Sequence, residues 1–245
     1  LDFLKETENS ILCLQELKMQ EADIDASAFK EIGYTLDAFG QKTYNGVATI
    51  LRDPLTFLPD EEVRNIPGFE DPQSRLLATT VQVGSEKLRV INGYFPNGET
   101  VESEKFPYKL AWLEALVQWL PSQLEEYPNL VLLGDFNIAP EDRDVWDPES
   151  WSESVLCTPK AREAFQRLID LGLTDSFRAF EQPEKSYSWW DYRMMAFRRN
   201  RGLRIDHILI SEALASKNLG VEIHKKVRGN ERPSDHAPVT LTLDL

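Results

Sequence analysis

Short apolar runs recur along the chain, at residues 11–14, 47–51, 76–83, 88–95, 130–133 and 205–210, each bounded by polar or turn-forming residues. Runs this short between turn signals predict strands. Residues 237–245 alternate cleanly, Val239, Leu241 and Leu243 against Thr240, Thr242 and Asp244. That period of two predicts a half-buried strand.

Helical patterns are fewer. Residues 1–7 read as the end of an amphipathic helix. Residues 106–120 carry Leu110, Leu113, Leu116, Val117 and Leu120 at helical spacing, and Pro121 is expected to break or kink that helix. Residues 159–171 form another, with Phe165, Leu168 and Ile169 inward and Gly172 just past the end as a C-cap. Many strands with a few long helices predict an α/β fold, two packed sheets flanked by helices. No repeat, low-complexity tract or linker interrupts the chain and its 14 prolines are scattered, so residues 1–245 are expected to form a single domain.

Composition narrows the partners. The 245 residues carry a formal charge of −14, which argues against loose, whole-surface binding to nucleic acid but leaves room for a local basic face. No apolar run approaches the roughly 20 residues of a membrane span. Two cysteines, Cys13 and Cys157, make no disulfide framework, so a reducing, cytoplasmic setting is expected. Cys13 lies in an apolar run and is expected as a small core residue. The chain starts with Leu, without a signal-peptide pattern, and reads as trimmed.

Chemistry collects where the apolar strands end. Gln15-Glu16 follows residues 11–14, Asp135-Phe136-Asn137 follows 130–134, Asp206-His207 lies within 204–210, and Asp235-His236 precedes the last strand. Asp135 and Asn137 are two apart and in a strand face the same side, with Phe136 turned into packing. Acidic, amide and imidazole groups without a cysteine cluster suit a hard cation such as Mg²⁺. An Asp beside a His suits proton transfer or phosphate contact. Taken singly each signal is weak, since such residues are more often a cap, a turn or a structural histidine. Asp142, Asp144 and Asp147 lack the glycine and distal Glu of a calcium loop and read as a solvated acidic loop. Dinucleotide, P-loop and nucleophile-elbow motifs are missing.

Seen together, the segments say more. In order stand Leu14-Gln15-Glu16, Tyr44-Asn45-Gly46-Val47-Ala48, Ile91-Asn92-Gly93-Tyr94-Phe95-Pro96-Asn97-Gly98, Leu133-Gly134-Asp135-Phe136-Asn137-Ile138, Ser188-Trp189-Trp190-Asp191-Tyr192, Arg201-Gly202-Leu203-Arg204-Ile205-Asp206-His207 and Pro233-Ser234-Asp235-His236-Ala237-Pro238. The chain resembles the exonuclease III family of AP endonucleases, within the wider endonuclease/exonuclease/phosphatase superfamily, from about Glu6 to Leu243.

The resemblance implies a four-layered α/β sandwich of two mainly antiparallel sheets. It implies Mg²⁺-dependent phosphodiester hydrolysis, with Mn²⁺ able to substitute, on double-stranded DNA with abasic sites or blocked or recessed 3′ ends, by a monomer. Carried over by motif, Glu16 is the direct metal ligand. Asp135 positions or deprotonates the attacking water and Asn137 orients it. His236 holds a phosphate oxygen and is oriented by Asp206, with Asp235 near the metal. Tyr94 stabilises the leaving or phosphate oxygen and Asn97 contacts the phosphate. Asp135, Asn137 and His236 also count among the metal-site residues.

Trp189 and Leu203 match positions that wall a sugar pocket in that family, though both also suit plain core packing. Arg193, Arg198, Arg199, Arg201 and Arg204, with Lys225, Lys226 and Arg228 as a second cluster, suggest a DNA-facing surface, or else a solvated face. The family also carries an N-terminal strand with an active-site Asn, so a further strand is expected ahead of Leu1. Two other readings stay open. One is a superfamily relative acting on phospholipids, inositol phosphates or RNA; the other is a DNA-binding module without catalysis.

Overall fold

The apolar runs become strands of a mixed α/β fold in the computed structural model, which describes residues 1–245. Contacts cluster into two compact units, Leu1–Tyr94 with Gln123–Gly134 and Leu245, and Phe95–Ser122 with Asp135–Asp244.

The first unit holds α1 (Asp2–Thr7), β1 (Ile11–Gln15), α2 (Ala26–Lys30), β2 (Tyr34–Phe39), β3 (Val47–Arg52), β4 (Thr56–Phe57), β5 (Val63–Arg64), β6 (Leu76–Val83), β7 (Glu86–Tyr94) and β8 (Leu130–Asp135) up to Gly134. One sheet has the order β1-β3-β2, all antiparallel. In the other, β4-β6-β7-β8 lie in order, with β5 paired to β6. β3 packs on β6 and β7. It is buried along nearly its whole length, which is why its sequence is a continuous apolar run rather than an alternation. Ile50 packs with Leu4 of α1 and Tyr34 of β2. Each such side chain contributes about 1.5–3 kcal/mol. Cys13 is partly exposed as a residue, but burial pushes its thiol pKa up to about 12, as suits a small residue packed into the core.

Gly134 shows how closely two strands can run. Its φ is +138°, and a Cβ placed there would lie 1.9 Å from the carbonyl oxygen of Gly93 on β7. Only glycine fits.

The second unit holds α3 (Lys105–Glu126) up to Ser122, α4 (Pro148–Trp151), α5 (Pro159–Asp170), β9 (Leu173–Asp175), β10 (Asp206–Ser211), α6 (Glu212–Ala215), β11 (Asn218–Ile223) and β12 (Val239–Leu243). β9 and β10 pair antiparallel, as do β11 and β12, and β12 contacts β10. The Thr158 hydroxyl caps α5 by accepting from the Ala161 N–H, while Ala161, Ala164, Phe165 and Leu168 face inward. Gly172 follows its end at φ +98°, as expected of a C-cap. Pro121 does not end α3, contrary to the sequence expectation. The turn beyond is anchored instead: Gln123 is buried and accepts from Arg89 Nε at 3.0 Å, and the Tyr127 N–H donates to the Gln123 carbonyl at 2.9 Å.

The expected solvated loop at 142–147 is only partly so. Asp144 is fully buried. It accepts from Arg204 Nε at 2.7 Å and from Arg178, while Arg204 Nη2 donates to Asp175 at 2.8 Å. A charge buried this deeply survives only when paired, and its arginines supply that pairing. Arg204, read as part of a basic surface, therefore belongs to the core. Its Nη1 also donates to His207 Nδ1 at 3.0 Å, leaving His207 Nε2–H to donate to the Ile138 carbonyl at 2.8 Å. Burial first, then the Arg204 charge, push the His207 pKa down to about 4.

Two outcomes follow for stability. Gly134→Ala combines a main-chain collision with a backbone conformation unfavourable to side chains, and should cost roughly 3 kcal/mol or more in urea unfolding. An unchanged midpoint would show that the strands separate freely there. For His207, the neutral form is favoured in the folded chain. Its contribution is thus fully present above the unfolded value near 6.5 and is lost as pH falls toward about 4. Between pH 7 and pH 4 the native protein should lose about 2–3 kcal/mol more than His207→Gln, which cannot titrate. Parallel stability curves for the two would sink this account.

Candidate active site

In the second unit, the end of β8 delivers Asp135, whose carbonyl accepts from the Phe95 N–H at 2.9 Å. Phe136, fully buried, stacks on Phe95 with ring centroids 4.0 Å apart. Asp135 and Asn137 do come together, but not as strand neighbours. Asn137 leaves the strand at φ +50°, and its N–H and Nδ2 donate to the two Asp135 oxygens at 2.9 and 3.1 Å. An Asx-type turn makes the pairing that strand periodicity only suggested. Asn97 joins them, its Nδ2 donating to Asn137 Oδ1 at 2.8 Å.

Asp206 opens β10 and His236 sits just before β12. Ser188, fully buried, ties their backbones together. Its hydroxyl accepts from the N–H groups of Ile205 and Asp206, each at 3.1 Å, and its carbonyl accepts from the Ala237 N–H at 2.7 Å. His236 Nδ1 lies 3.0 and 2.9 Å from the two Asp206 oxygens. A carboxylate only accepts, so Nδ1 carries the proton and Nε2 is turned toward Asp135, 3.8 Å away. Burial opposes the charged imidazolium, but Asp206, then Asp135 and Asp235, outweigh it and push the His236 pKa up to about 10. The neighbouring carboxylates thus favour the protonated, donating form of the ring.

Asp135, Asp206 and His236 offer ligand atoms all within 4.8 Å of one another. Each carboxylate is already engaged, Asp206 by the His236 ring and Asp135 by Asn137. Carboxylate and amide oxygens without sulfur fit a hard divalent cation.

Trp189 and Asp235 also meet, the indole Nε1–H donating to Asp235 Oδ2 at 2.9 Å. Trp189 is half-buried, with Trp151 edge-on at 6.1 Å. Leu203 is fully buried among Phe106, Ala139, Val145, Leu156 and Ile205. Arg201 holds its guanidinium 4.7 Å from the ring of Trp146, which packs against the same cluster as Trp189. The second basic cluster is partly a scaffold: Arg228 is buried, donates to the Trp190 carbonyl at 3.2 Å and lies 5.0 Å from the Tyr192 ring. Arg193, Arg198 and Arg199 remain exposed.

In the first unit, Glu16 follows β1 at φ +56°, exposed, and its carboxylate accepts from the Tyr94 hydroxyl and pairs with Lys18 at 2.9 Å. Its loop is pinned where Leu17 and Lys18 N–H groups donate to the carbonyls of Gly46 and Asn45 at 3.2 and 2.9 Å. Arg75 braces Tyr94, with its guanidinium 5.1 Å from the ring and Nη1 donating to the Tyr94 carbonyl at 3.1 Å.

Sequence reasoning missed Arg75, Trp151 and, above all, Lys109. Lys109 lies one helical step from Phe106 and Trp112, on the inward stripe of α3, and is fully buried. A lysine inside an apolar stripe is the signal that was there to find.

A sequence profile described as the Endonuclease/Exonuclease/phosphatase family matches residues 1–236. Exodeoxyribonuclease III of Haemophilus influenzae is 37% identical over 238 residues, 94% of this chain and 88% of that protein. A structure of the 3′ phosphatase NExo from Neisseria, bound to a product DNA hairpin, superimposes with a TM-score of 0.94 at 44% identity, covering 100% of this chain and 92% of the other. An AP endonuclease from Archaeoglobus fulgidus gives a TM-score of 0.90 at 32% identity, over 100% of this chain and 92% of its own.

Proposed function

Because the chain belongs to the endonuclease/exonuclease/phosphatase family, we propose that it is a divalent-metal-dependent DNA-repair hydrolase. It cleaves the phosphodiester backbone at abasic sites and trims blocked or recessed 3′ ends of duplex DNA, as a cytoplasmic monomer. The observation that carries this reading is His236, fixed by Asp206 and turned toward an Asp135 that Asn137 holds in place. The Haemophilus relative named exodeoxyribonuclease III and the Neisseria 3′ phosphatase support DNA as the substrate.

By motif, Glu16 takes the role of direct metal ligand, and Asp135, Asn137, Asp235 and His236 the roles of further metal-site residues. When bound, such a cation neutralises charge on the phosphate. Asp135 accepts the proton of the attacking water, its orientation set by two hydrogen bonds from Asn137. Asn97 contacts the phosphate, while the Asn137 amide bonds Asp135 and Asn97. His236 donates its Nε2–H to a non-bridging oxygen, where negative charge builds up. The Tyr94 hydroxyl stabilises the leaving oxygen. Trp189, packed against the buried cluster that holds Leu203, forms an apolar wall for a flipped-out abasic sugar, and Arg201 takes the role of a DNA contact.

Labelled duplexes with an abasic site, a recessed 3′ end or a 3′-phosphate test the reading. Turnover is expected with Mg²⁺ or Mn²⁺ and none after EDTA. Full turnover in EDTA would remove the metal from the scheme. Turnover only of a phospholipid, inositol phosphate or RNA would move the activity to another branch of the family. Duplex binding without any cleavage would leave a binding module.

Within the catalytic set, Asp135→Asn and His236→Ala should each lower kcat at least ~10²-fold, since each removes a proton-transfer or charge-stabilising group. Asp206→Asn combined with His236→Ala should be no worse than His236→Ala alone, because the carboxylate acts through the ring. Additive losses would break the Asp206–His236 assignment.

A further inference from the structure

Lys109 makes three hydrogen bonds, and all go to main-chain carbonyls. Its Nζ donates to Asn97 O at 3.1 Å, Asn137 O at 2.7 Å and Val155 O at 2.9 Å. An ammonium has three N–H groups, so three acceptors use its donors completely. Two of the three carbonyls belong to the asparagines whose side chains bond each other, Asn97 Nδ2 to Asn137 Oδ1. Each asparagine is thus held from both ends, its amide by the other and its backbone by the same nitrogen. The surroundings are built around this stem. A Cβ at Gly98 would lie 3.1 Å from Lys109 Cδ and 3.4 Å from Phe106 and Val155 side-chain atoms.

Asn137 needs such a hold. It sits at φ +50°, in the left-handed region, which asparagine tolerates better than most residues and which neighbouring bonds hold in place. Its own side chain also donates to the Phe95 carbonyl at 3.0 Å. Without Lys109, the Asn97, Asn137 and Val155 carbonyls lose this donor, and the two asparagine-bearing loops lose the tie between their backbones.

We propose that Lys109 is a positioning residue. From α3 it clamps the backbones of Asn97 and Asn137, and so holds the hydrogen-bonded chain from Asn97 through Asn137 to Asp135 in its working geometry without touching substrate itself. The inference rests on the nuclease reading above, so the native protein is assayed first on a 3′-phosphate duplex with Mg²⁺. Failure there removes the reading itself, whereas native turnover left intact by the variants removes only this inference.

The test compares Lys109→Met, which keeps the stem but loses the donors, with Lys109→Arg, which restores charge and donors, and Lys109→Gln, which keeps one buried donor group. Lys109→Met should lower kcat at least about tenfold with KM for the duplex changed less than about threefold, because orientation is lost and DNA contact is not. Lys109→Arg should recover part of that loss. On an Asn137→Ala background, Lys109→Met should cost no more than about twofold, since the amide it holds has gone. In metal-free ¹⁵N spectra, the side-chain amide signals of Asn97 and Asn137 should shift or broaden in Lys109→Met. If Lys109→Met loses its cooperative thermal transition, Lys109→Gln decides by the same kcat and spectral measures. Native kcat, unmoved Asn97 and Asn137 signals, or losses fully additive with Asn137→Ala would overturn the proposal. So would failure of both Met and Gln variants to fold, which would make Lys109 a scaffold residue only.

Discussion

The second unit is organised by the cost of taking charge out of water. An isolated buried ion costs several kcal/mol, a large share of the total stability of a domain. Asp144, Arg204 and Lys109 are all fully or almost fully buried, and each is satisfied only by a specific arrangement of loops. Arg204 requires Asp144 and Asp175 on either side of it. Lys109 requires three carbonyls from three separate stretches of chain. The loop that carries Asn137 is therefore held at successive residues, by Lys109 at the Asn137 carbonyl and by His207 at the Ile138 carbonyl. Polar groups that contribute little net stability still fix where the site's loops must lie.

Much of this was legible from sequence. The strands bearing the site residues were readable because each is a short apolar run ending in polar side chains, and β3, β6 and β8 follow those runs closely. The strands not predicted have weaker signals. β2 carries Asp37 and buries only Tyr34 and Ala38. β11 contains Gly220 and an irregular register opposite β12, and only Asn218 is buried. In the site, motif order located Asp135, Asn137, Asp206 and His236, which the fold of the second unit brings together.

Partner choice was not legible. Arg204 and Arg228 stand in basic stretches, and local spacing reads them as surface. Their partners lie far off in the chain, Asp144 for one and the Trp190 carbonyl for the other. Lys109 was hidden for the same reason: its acceptors are main-chain atoms, which carry no residue-type signal at all. The Asx-type turn at Asp135 shows the converse. Strand periodicity suggested the right neighbours by the wrong route, because an asparagine at positive φ brings its amide back over the preceding carboxylate.

Gly134 carries one last implication. A side chain there meets main-chain atoms of Gly93 rather than another side chain. No substitution elsewhere can shrink a peptide group, so the position has no epistatic partner that could relieve it. Any sequence background that keeps this strand spacing must keep glycine at 134. Mutational drift at the next residues is then sampled on a backbone that cannot move to accommodate it, and selection there acts on side-chain chemistry alone.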